Sequence, residues 1–262
     1  MTPKIVFFDI DDTLYRKYTD TLRPSVAQAM QALKARGILT AIATGRPPVA
    51  FPAKIRTLIE EAGIDMVITI NGQYIEYRGE VLETNPLKPE KMAALCAHLD
   101  SRRIPYAFVS NHTIAVSEPM PQVEEAMAKI LPEHPTDKDF YHHSPVYQML
   151  AFYPPEQDAE IAAAAAEQGY QVLRWHETAV DLLDQTSSKA RGIKTALEKL
   201  GIDMADVMAF GDGYNDVEML KTVGFGVAMG NGVDAAKAAA KHVCPSVDED
   251  GVYLGLQELG VI

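Results

Sequence analysis

Three carboxylates follow a short apolar run near the start of the sequence: Asp9, Asp11 and Asp12 come directly after residues 4–8. The run is rich in β-branched and aromatic side chains and is too short for a helix, which predicts a buried strand. Carboxylates this close repel one another unless a cation or a shared proton offsets the repulsion. Because open α/β sheets place chemistry at the carboxyl ends of their strands, the cluster is a candidate site for cation binding or proton transfer.

Two other interpretations of this stretch are possible. A solvated acidic turn remains open as long as the stretch is considered alone. A calcium loop is suggested by Asp9, Asp11 and Thr13 at alternate positions, but Leu14 occupies the position that needs glycine and Asp20 the position that needs a bidentate glutamate. The calcium loop is therefore rejected.

Polar residues at three further places in the chain lie just after, or beside, predicted core elements. Residues 38–43 predict a strand before Thr44, residues 188–200 a helix that contains Lys189, and residues 207–210 a strand before a second acidic turn, which carries Asp212, Asn215 and Asp216. In a parallel sheet these sites converge on one edge. The predicted convergence gives oxygen ligands suited to Mg²⁺, together with one hydroxyl and one ammonium group.

Each of these residues also has a structural explanation when it is taken alone. Thr44 would be a helix cap, and Lys189 a solvated side chain, although its position in a first helical turn is unfavourable against the helix dipole. The Asp212-Gly213 pair would be an ordinary turn. The hypothesis of a shared site rests on their joint placement.

The pattern of elements predicts two domains. Strands and helices alternate up to about residue 70 and again from residue 187, which is typical of a parallel sheet with helices on its faces. Residues 73–83 predict a hairpin, and the following segment mixes helices and strands, including a helix over 120–131. We therefore predict a core domain of residues 1–84 and 186–262, interrupted by an inserted α+β domain of residues 85–185.

Composition limits the function. The chain has 262 residues and a net charge of −12, which argues against general binding of nucleic acids or anionic membranes. Cys96 and Cys244 are far apart and predict small buried side chains rather than ligands or nucleophiles. There is no apolar run of membrane-spanning length and no room for a signal peptide before the first strand. These features favour a cytoplasmic protein, either a monomer or a homodimer.

The polar sites resemble a known set of four motifs. Asp9-x-Asp11-x-Thr13, Thr44-Gly45-Arg46, Lys189 and Gly211-Asp212-x-x-Asn215-Asp216 resemble motifs one to four of the haloacid dehalogenase (HAD) superfamily. The order of the motifs, their spacing and the inserted domain are similar to those of the Cof-type members of subclass IIB. The resemblance implies an α/β fold with a Rossmann-like, doubly wound parallel sheet and an α+β cap of the C2B type. It also implies a phosphatase acting on sugar phosphates and related small phosphate esters.

The resemblance implies a role for each motif residue. Asp9 would be the nucleophile that forms an aspartyl-phosphate, and Asp11 the general acid and base. Mg²⁺ would be held by the Asp9 carboxylate, the Asp11 backbone carbonyl and Asp212. Phosphoryl oxygens would be held by Thr44 and Lys189, and the ligands and water around the ion would be oriented by Asn215 and Asp216.

Substrate contacts are assigned to four further residues: Gly45, Arg46, Arg174 and Trp175. For Arg46 the alternative is a structural ion pair. For Arg174 and Trp175 it is a surface strand end and a packed indole. The partner is expected to be a small phosphate ester, and neither nucleic acid nor membrane.

Two positions depart from the pattern of the resembled family. Asp12 stands where glycine is usual, which adds negative charge and restricts the backbone. Ala190 follows Lys189 where the family has glycine. Three alternatives stay open: a phosphomutase with the same core, a phospho-accepting signalling module, and a non-catalytic binder of sugar phosphates. A P-loop NTPase and a dinucleotide-binding dehydrogenase are excluded, because the chain lacks GxxxxGK[ST] and has no glycine loop after its first strand.

Overall fold

The computed structural model describes residues 2–128 and 130–262, so Met1 and Lys129 of the predicted domains lie outside the described residues. The chain divides into two compact units. One runs up to Arg46 and continues over Phe51–Thr84 and Ser188–Ile262, and the other consists of Pro47–Ala50 and Asn85–Ser187. The units change at 84/85 and 187/188, beside the predicted changes at 84/85 and 185/186.

The secondary structure follows in chain order. The part up to residue 84 contains β1 (Ile5–Phe8), β2 (Tyr15–Arg16), β3 (Thr21–Leu22), α1 (Pro24–Ala35), β4 (Leu39–Ala43), α2 (Ala53–Ala62), β5 (Met66–Thr69), β6 (Tyr74–Tyr77) and β7 (Glu80–Thr84). The middle part contains α3 (Pro89–Ser101), β8 (Tyr106–Val109), β9 (Ile114–Val116), α4 (Pro121–Met127), β10 (Gln148–Ala151), α5 (Asp158–Glu167), β11 (Tyr170–His176) and β12 (Ala179–Asp184). The last part contains α6 (Lys189–Leu200), β13 (Val207–Gly211), α7 (Val217–Thr222), β14 (Phe225–Ala228), α8 (Asp234–Ala239), β15 (His242–Val243) and α9 (Gly251–Glu258).

The first unit is built on one eight-stranded sheet with the order β15-β14-β13-β1-β4-β5-β6-β7. The strands from β15 to β5 are parallel, and β6 and β7 form an antiparallel hairpin at the edge. Alternate side chains of β1 enter two different cores: Val6 and Phe8 pack with α1, α2 and α9, whereas Ile5 and Phe7 pack with α6, α7 and α8. This arrangement confirms the predicted doubly wound α/β fold, with the hairpin as an antiparallel extension.

The second unit is built on a five-stranded antiparallel sheet with the order β11-β12-β10-β8-β9. Its core includes Leu99 of α3 and Ile161 of α5, packed with side chains from the sheet. The helix predicted over 120–131 is shorter than expected, since α4 ends at Met127. Among the described residues of the chain, no helix has both the length and the apolar character needed to cross a bilayer.

A close glycine contact positions α6 against the end of β5. A Cβ atom on Gly192 would lie 2.7 Å from the Gly72 Cα and 2.8 Å from the Ile68 Cγ2. Gly72 itself has a φ of 88°, and a Cβ there would lie 2.3 Å from the Ser188 carbonyl oxygen. The first turn of α6, which carries Lys189, can reach this depth only because neither position has a side chain.

We expect Gly192→Ala to lower the free energy of unfolding by about 1–3 kcal/mol, because the added methyl group overpacks this contact. A decrease in the free energy of unfolding would be informative, because alanine in an open helical position is more stable than glycine by about 1 kcal/mol. The measurement is urea denaturation, with Lys194→Ala on the exposed side of the same helix as the control. A Gly192→Ala variant as stable as the control would show that the contact can relax at no cost.

Candidate active site

The centre of the candidate site is a buried lysine. Ser188 caps α6 by accepting a hydrogen bond from the Arg191 backbone N–H at 3.1 Å, and Lys189 is the first residue of the helix. The Lys189 side chain is fully buried, with its Nζ 2.5 Å from Asp9 Oδ1 and 2.6 Å from Asp216 Oδ1. Burial lowers the pKa of Lys189, but the two carboxylates outweigh this effect, so the pKa is raised and the group is an ammonium ion.

Parallel strand pairing brings the acidic residues together. β1 pairs with β13, and the Asp9 backbone N–H donates to the Phe210 carbonyl oxygen at 3.0 Å. Carboxylate oxygens of Asp9, Asp212 and Asp216 consequently lie within 4.8 Å of one another. The Thr13 hydroxyl donates to Asp212 Oδ1 at 3.1 Å and so ties the first acidic loop to the second.

The charges of this cluster do not balance. Three carboxylates, Asp9, Asp212 and Asp216, surround one ammonium ion, which leaves two negative charges when all three are ionised. Burial, reinforced by the charge of Asp216, raises the pKa of Asp212 to about 7. Burial also raises the pKa of Asp9, although Lys189 opposes it. An all-oxygen donor set with two uncompensated charges fits a hard divalent cation such as Mg²⁺.

Asp216 shapes the turn after β13. Its Oδ2 accepts from the backbone N–H groups of Asp212 at 3.0 Å and Gly213 at 2.9 Å, while its Oδ1 faces Lys189. A Cβ on Gly211 would lie 2.5 Å from the Asp216 Cγ, so this position has room only for glycine. The neighbouring Asn215 is exposed. These contacts suit the predicted supporting role of Asp216.

Thr44 lies directly after β4 and is almost fully buried. Its backbone N–H donates to the Ile68 carbonyl oxygen at 2.9 Å, and its Oγ1 accepts from the Arg46 backbone N–H at 3.2 Å. Because accepting this bond uses only a lone pair, the hydroxyl can still donate its proton to another group. Next to it, a Cβ on Gly45 would meet the Asn71 side chain at 3.3 Å, which limits this loop to a small residue.

Asp11 is held by an arginine of the second motif. Arg46 Nε lies 2.6 Å from Asp11 Oδ2, and Arg46 Nη2 lies 2.8 Å from Asp11 Oδ1. Burial lowers the pKa of Arg46, and the hydrogen bonds and charge of Asp11 raise it by more, so the net shift is upward. The geometry thus shows the ion pair that was the alternative to a substrate contact for Arg46.

Asp12 adopts the backbone conformation that glycine would have, with a φ of 59°. Its carboxylate is paired with Arg16 at 3.0 Å and Lys17 at 3.3 Å. Its carbonyl oxygen accepts from the Asn231 side-chain amide at 2.8 Å. Aspartate is one of the few residues that tolerate the left-handed region. The unusual residue therefore fits the loop, and its charge is compensated locally.

The two predicted substrate contacts of the second unit differ in their surroundings. Arg174 donates to Asp158 at 2.6 Å and to the carbonyl oxygens of Tyr153, His176 and Glu177, so these groups engage its guanidinium. Trp175 is about one-third exposed. Its indole N–H lowers the pKa of Asp181, but burial dominates and raises that pKa to about 7.

Sequence reasoning missed several residues of the site. Thr13 was included in the first motif, but its bond to Asp212 was not predicted. No role was given to the cations Arg16 and Lys17, or to Asn231, which also accepts from the Val247 backbone N–H at 2.8 Å. The signal for Arg16 and Lys17 was their position just after an unusual third aspartate. The neighbouring sequence does not indicate the partners of Asn231, because Asp12 and Val247 are both distant in sequence.

Comparison with known proteins places these features in a family. Residues 6–256 match the family of haloacid dehalogenase-like hydrolases. The chain is 36% identical over 264 residues to "Putative phosphatase YkrA" of Bacillus subtilis (strain 168), with 100% of both chains covered. It is 29% identical over 289 residues to "Pyridoxal phosphate phosphatase YbhA" of Escherichia coli (strain K12), covering 96% of this chain and 97% of that one.

A solved structure agrees with these relatives. The structure of BT4131, described as a sugar phosphatase of HAD subclass IIB, superposes with a TM-score of 0.85 and 32% sequence identity. The match covers 99% of this chain and 100% of that one. The match therefore extends over the residues of both units.

Substitutions of Asp12 separate backbone strain from charge pairing. We expect Asp12→Ala to lower the free energy of unfolding by about 1–2 kcal/mol, because alanine keeps the left-handed strain and loses both ion pairs. Asp12→Gly loses the same pairs but relieves the strain, so its loss should stay below about 1 kcal/mol. Chemical denaturation of the two variants measures the difference. Equal losses would mean that the backbone conformation is not the constraint at this position.

Proposed function

The chain belongs to the haloacid dehalogenase-like hydrolase family, and on this premise we propose that it hydrolyses small phosphomonoesters through a phosphoryl group carried on Asp9. The observation that carries the proposal is the buried Lys189 ammonium between Asp9 and Asp216 at the carboxyl ends of the strands. Such a site holds a carboxylate nucleophile next to a fixed positive charge, which is the requirement for transferring an anionic phosphoryl group.

The first half of the reaction transfers the phosphoryl group to the protein. A carboxylate oxygen of Asp9 attacks phosphorus, and the bond from phosphorus to the ester oxygen breaks as the new bond forms. Asp11 gives a proton to the departing ester oxygen, which leaves as an alcohol. The product of this half is an acyl-phosphate on Asp9 and an ionised Asp11.

The second half regenerates Asp9. Water attacks phosphorus while Asp11 takes one of its protons, and the bond from phosphorus to the Asp9 oxygen breaks. Inorganic phosphate leaves, and both aspartates return to their starting states. The two halves use one carboxylate for covalent chemistry and the other for proton transfer, which divides one difficult hydrolysis into two easier steps.

Lys189 and Thr44 bind and orient the phosphoryl group in this scheme. Lys189 lies against Asp9 Oδ1 at 2.5 Å, so its charge stays next to the carboxylate that attacks phosphorus. The Thr44 hydroxyl proton is available for a phosphoryl oxygen, because its Oγ1 is already an acceptor. Asp216 keeps Lys189 in place. Asn215, which is exposed on the same turn, would orient the water and ligands around the ion.

Mg²⁺ is the cation that fits the cluster, and it would be held by the Asp9 carboxylate, the Asp11 backbone carbonyl and Asp212. The excess of two negative charges and the oxygen-only donors support this assignment. When bound, the ion supplies positive charge that reduces repulsion between the Asp9 carboxylate and the phosphate ester.

The substrate class is proposed as hexose or pentose phosphates. Similarity to a protein described as a sugar phosphatase supports it, and similarity to one named a pyridoxal phosphate phosphatase gives the comparison to test. The net charge of −12 disfavours nucleic acid as a partner. We assign selection of the leaving group to the inserted domain, predicted as residues 85–185.

The first test is phosphate release from a panel of esters, with Mg²⁺ and with EDTA. The panel contains sugar phosphates, pyridoxal phosphate, a nucleotide and 4-nitrophenyl phosphate. Wild-type protein should release phosphate only with metal present, and Asp9→Asn should lose at least about 10³-fold in kcat, since it keeps the shape but removes the nucleophile. Asp206→Asn, which alters a surface pair with Lys4, is the matched control. Wild-type turnover in Asp9→Asn would reject the mechanism.

Asp11→Asn separates esters by their leaving groups. A sugar alkoxide needs a proton as it departs and 4-nitrophenolate does not. We therefore expect kcat/KM to fall about 10²–10⁴-fold for the sugar phosphate and much less for the aryl ester. The quantity to measure is kcat/KM, because it reports the steps up to release of the leaving group. Equal losses for both esters would contradict the acid role of Asp11.

A further inference from the structure

The pair between Arg46 and Asp11 is a complete two-bond fork. Arg46 Nε faces Asp11 Oδ2 at 2.6 Å and Arg46 Nη2 faces Asp11 Oδ1 at 2.8 Å, and each side chain is only about one-fifth exposed. Two parallel N–H···O bonds fix both the distance and the rotation of the carboxyl plane. A single ammonium group could fix the distance but not the rotation. The orientation of the Asp11 carboxylate in this structure is therefore set by one arginine.

The backbone of Arg46 is itself held from two sides. Its N–H donates to Thr44 Oγ1 at 3.2 Å, and its carbonyl oxygen accepts from the Ile70 N–H at 3.2 Å. One residue further on, the Asn71 N–H donates to the Thr44 carbonyl oxygen at 3.1 Å. The loop that presents the guanidinium is thus bonded to the segment that follows β5.

That segment is strained. Ile70 and Asn71 have φ values of 51° and 50°, in a region that costs an L-residue roughly 1–2 kcal/mol and is especially unusual for a β-branched side chain. The conformation lets the two successive N–H groups donate to the carbonyl oxygens of Arg46 and Thr44. Strain of this kind persists only where the surroundings enforce it, and it concentrates at functional sites.

We propose that Arg46 is a positioning residue that holds the Asp11 side chain in line for proton transfer. The proposal rests on the proposed function, since it assigns Asp11 the acid and base role. When one Asp11 oxygen carries the proton for the leaving group, that oxygen keeps a lone pair, so both hydrogen bonds of the fork can persist and the alignment is kept during the transfer. A substrate contact of Arg46, one of the two roles that the sequence leaves open, would instead act on the binding of every phosphate ester.

The two roles differ in a measurable way. A misplacement of a reacting group by about 1 Å can cost on the order of 10²-fold in rate. For Arg46→Gln we therefore expect kcat/KM to fall about 10²-fold for a hexose phosphate. For 4-nitrophenyl phosphate, whose leaving group needs no proton, the fall should be less than about threefold. With the aryl ester the variant should also show a burst of 4-nitrophenolate, because hydrolysis of the acyl-phosphate needs Asp11 in place as the base.

Three further variants complete the experiment. Arg46→Lys keeps the charge and loses the fork, and it should show the same selective loss as Arg46→Gln. Arg23→Gln removes an equivalent fork in the same unit, in which Nε and Nη2 of Arg23 face Asp250 at 2.6 and 3.0 Å, and it should leave both esters unaffected. In an Asp11→Asn background, Arg46→Gln should cause no further loss with the hexose phosphate.

The outcomes separate the possible roles. Equal losses in kcat/KM for both esters, with or without a lowered melting temperature, would overturn the positioning role in favour of a substrate contact or a structural pair. An additive loss in the Asp11→Asn background would overturn it as well. If the wild-type protein hydrolyses neither ester, it is the proposed function that fails. If it hydrolyses both and Arg46→Gln shows no selective loss, only the role of Arg46 fails.

Discussion

The buried ammonium group of Lys189 is the interaction on which the site in the first unit depends. It joins the end of β1, the first turn of α6 and the turn after β13 through Asp9 and Asp216. Removing one member of a buried ion pair leaves an uncompensated charge, which typically costs about 3–5 kcal/mol. The three elements can therefore come together stably only in the arrangement that also builds the site, and stability and function share one constraint.

This constraint explains where the chain uses glycine near the site. Gly211 must lack a side chain because Asp216 folds back against it to reach both Lys189 and the turn. Gly72 and Gly192 let α6 lie deep enough for Lys189 to reach the strand ends. Ala190, where the resembled family has glycine, is buried within α6. At that position the helix tolerates a methyl group, whereas at Gly192 it meets backbone.

The sequence predicted those parts of the fold and of the site that follow from continuous apolar runs, each of which forms one buried strand. The apolar runs before Asp9, Thr44 and Asp212 could be recognised because the strands are buried on both faces, and parallel pairing then brings their ends together. The partner of Asp11 could not be predicted, since a bidentate ion pair depends on rotamers and on the loop after β4. The left-handed conformation of Ile70 could not be predicted either, because isoleucine has no local preference for a positive φ.

The distribution of cations among the aspartates determines where a metal ion can bind. Asp11 has Arg46 as its partner, and Asp12 has Arg16 and Lys17, so neither adds to the excess negative charge. Among the residues that the structure describes, the cation next to the three remaining carboxylates is Lys189, and the excess negative charge lies at the carboxyl ends of the strands. A hard divalent cation would therefore be attracted to this point rather than to the acidic loop as a whole. Asp12 replaces a glycine of the resembled pattern without changing where the excess negative charge lies, because Arg16 and Lys17 neutralise its carboxylate.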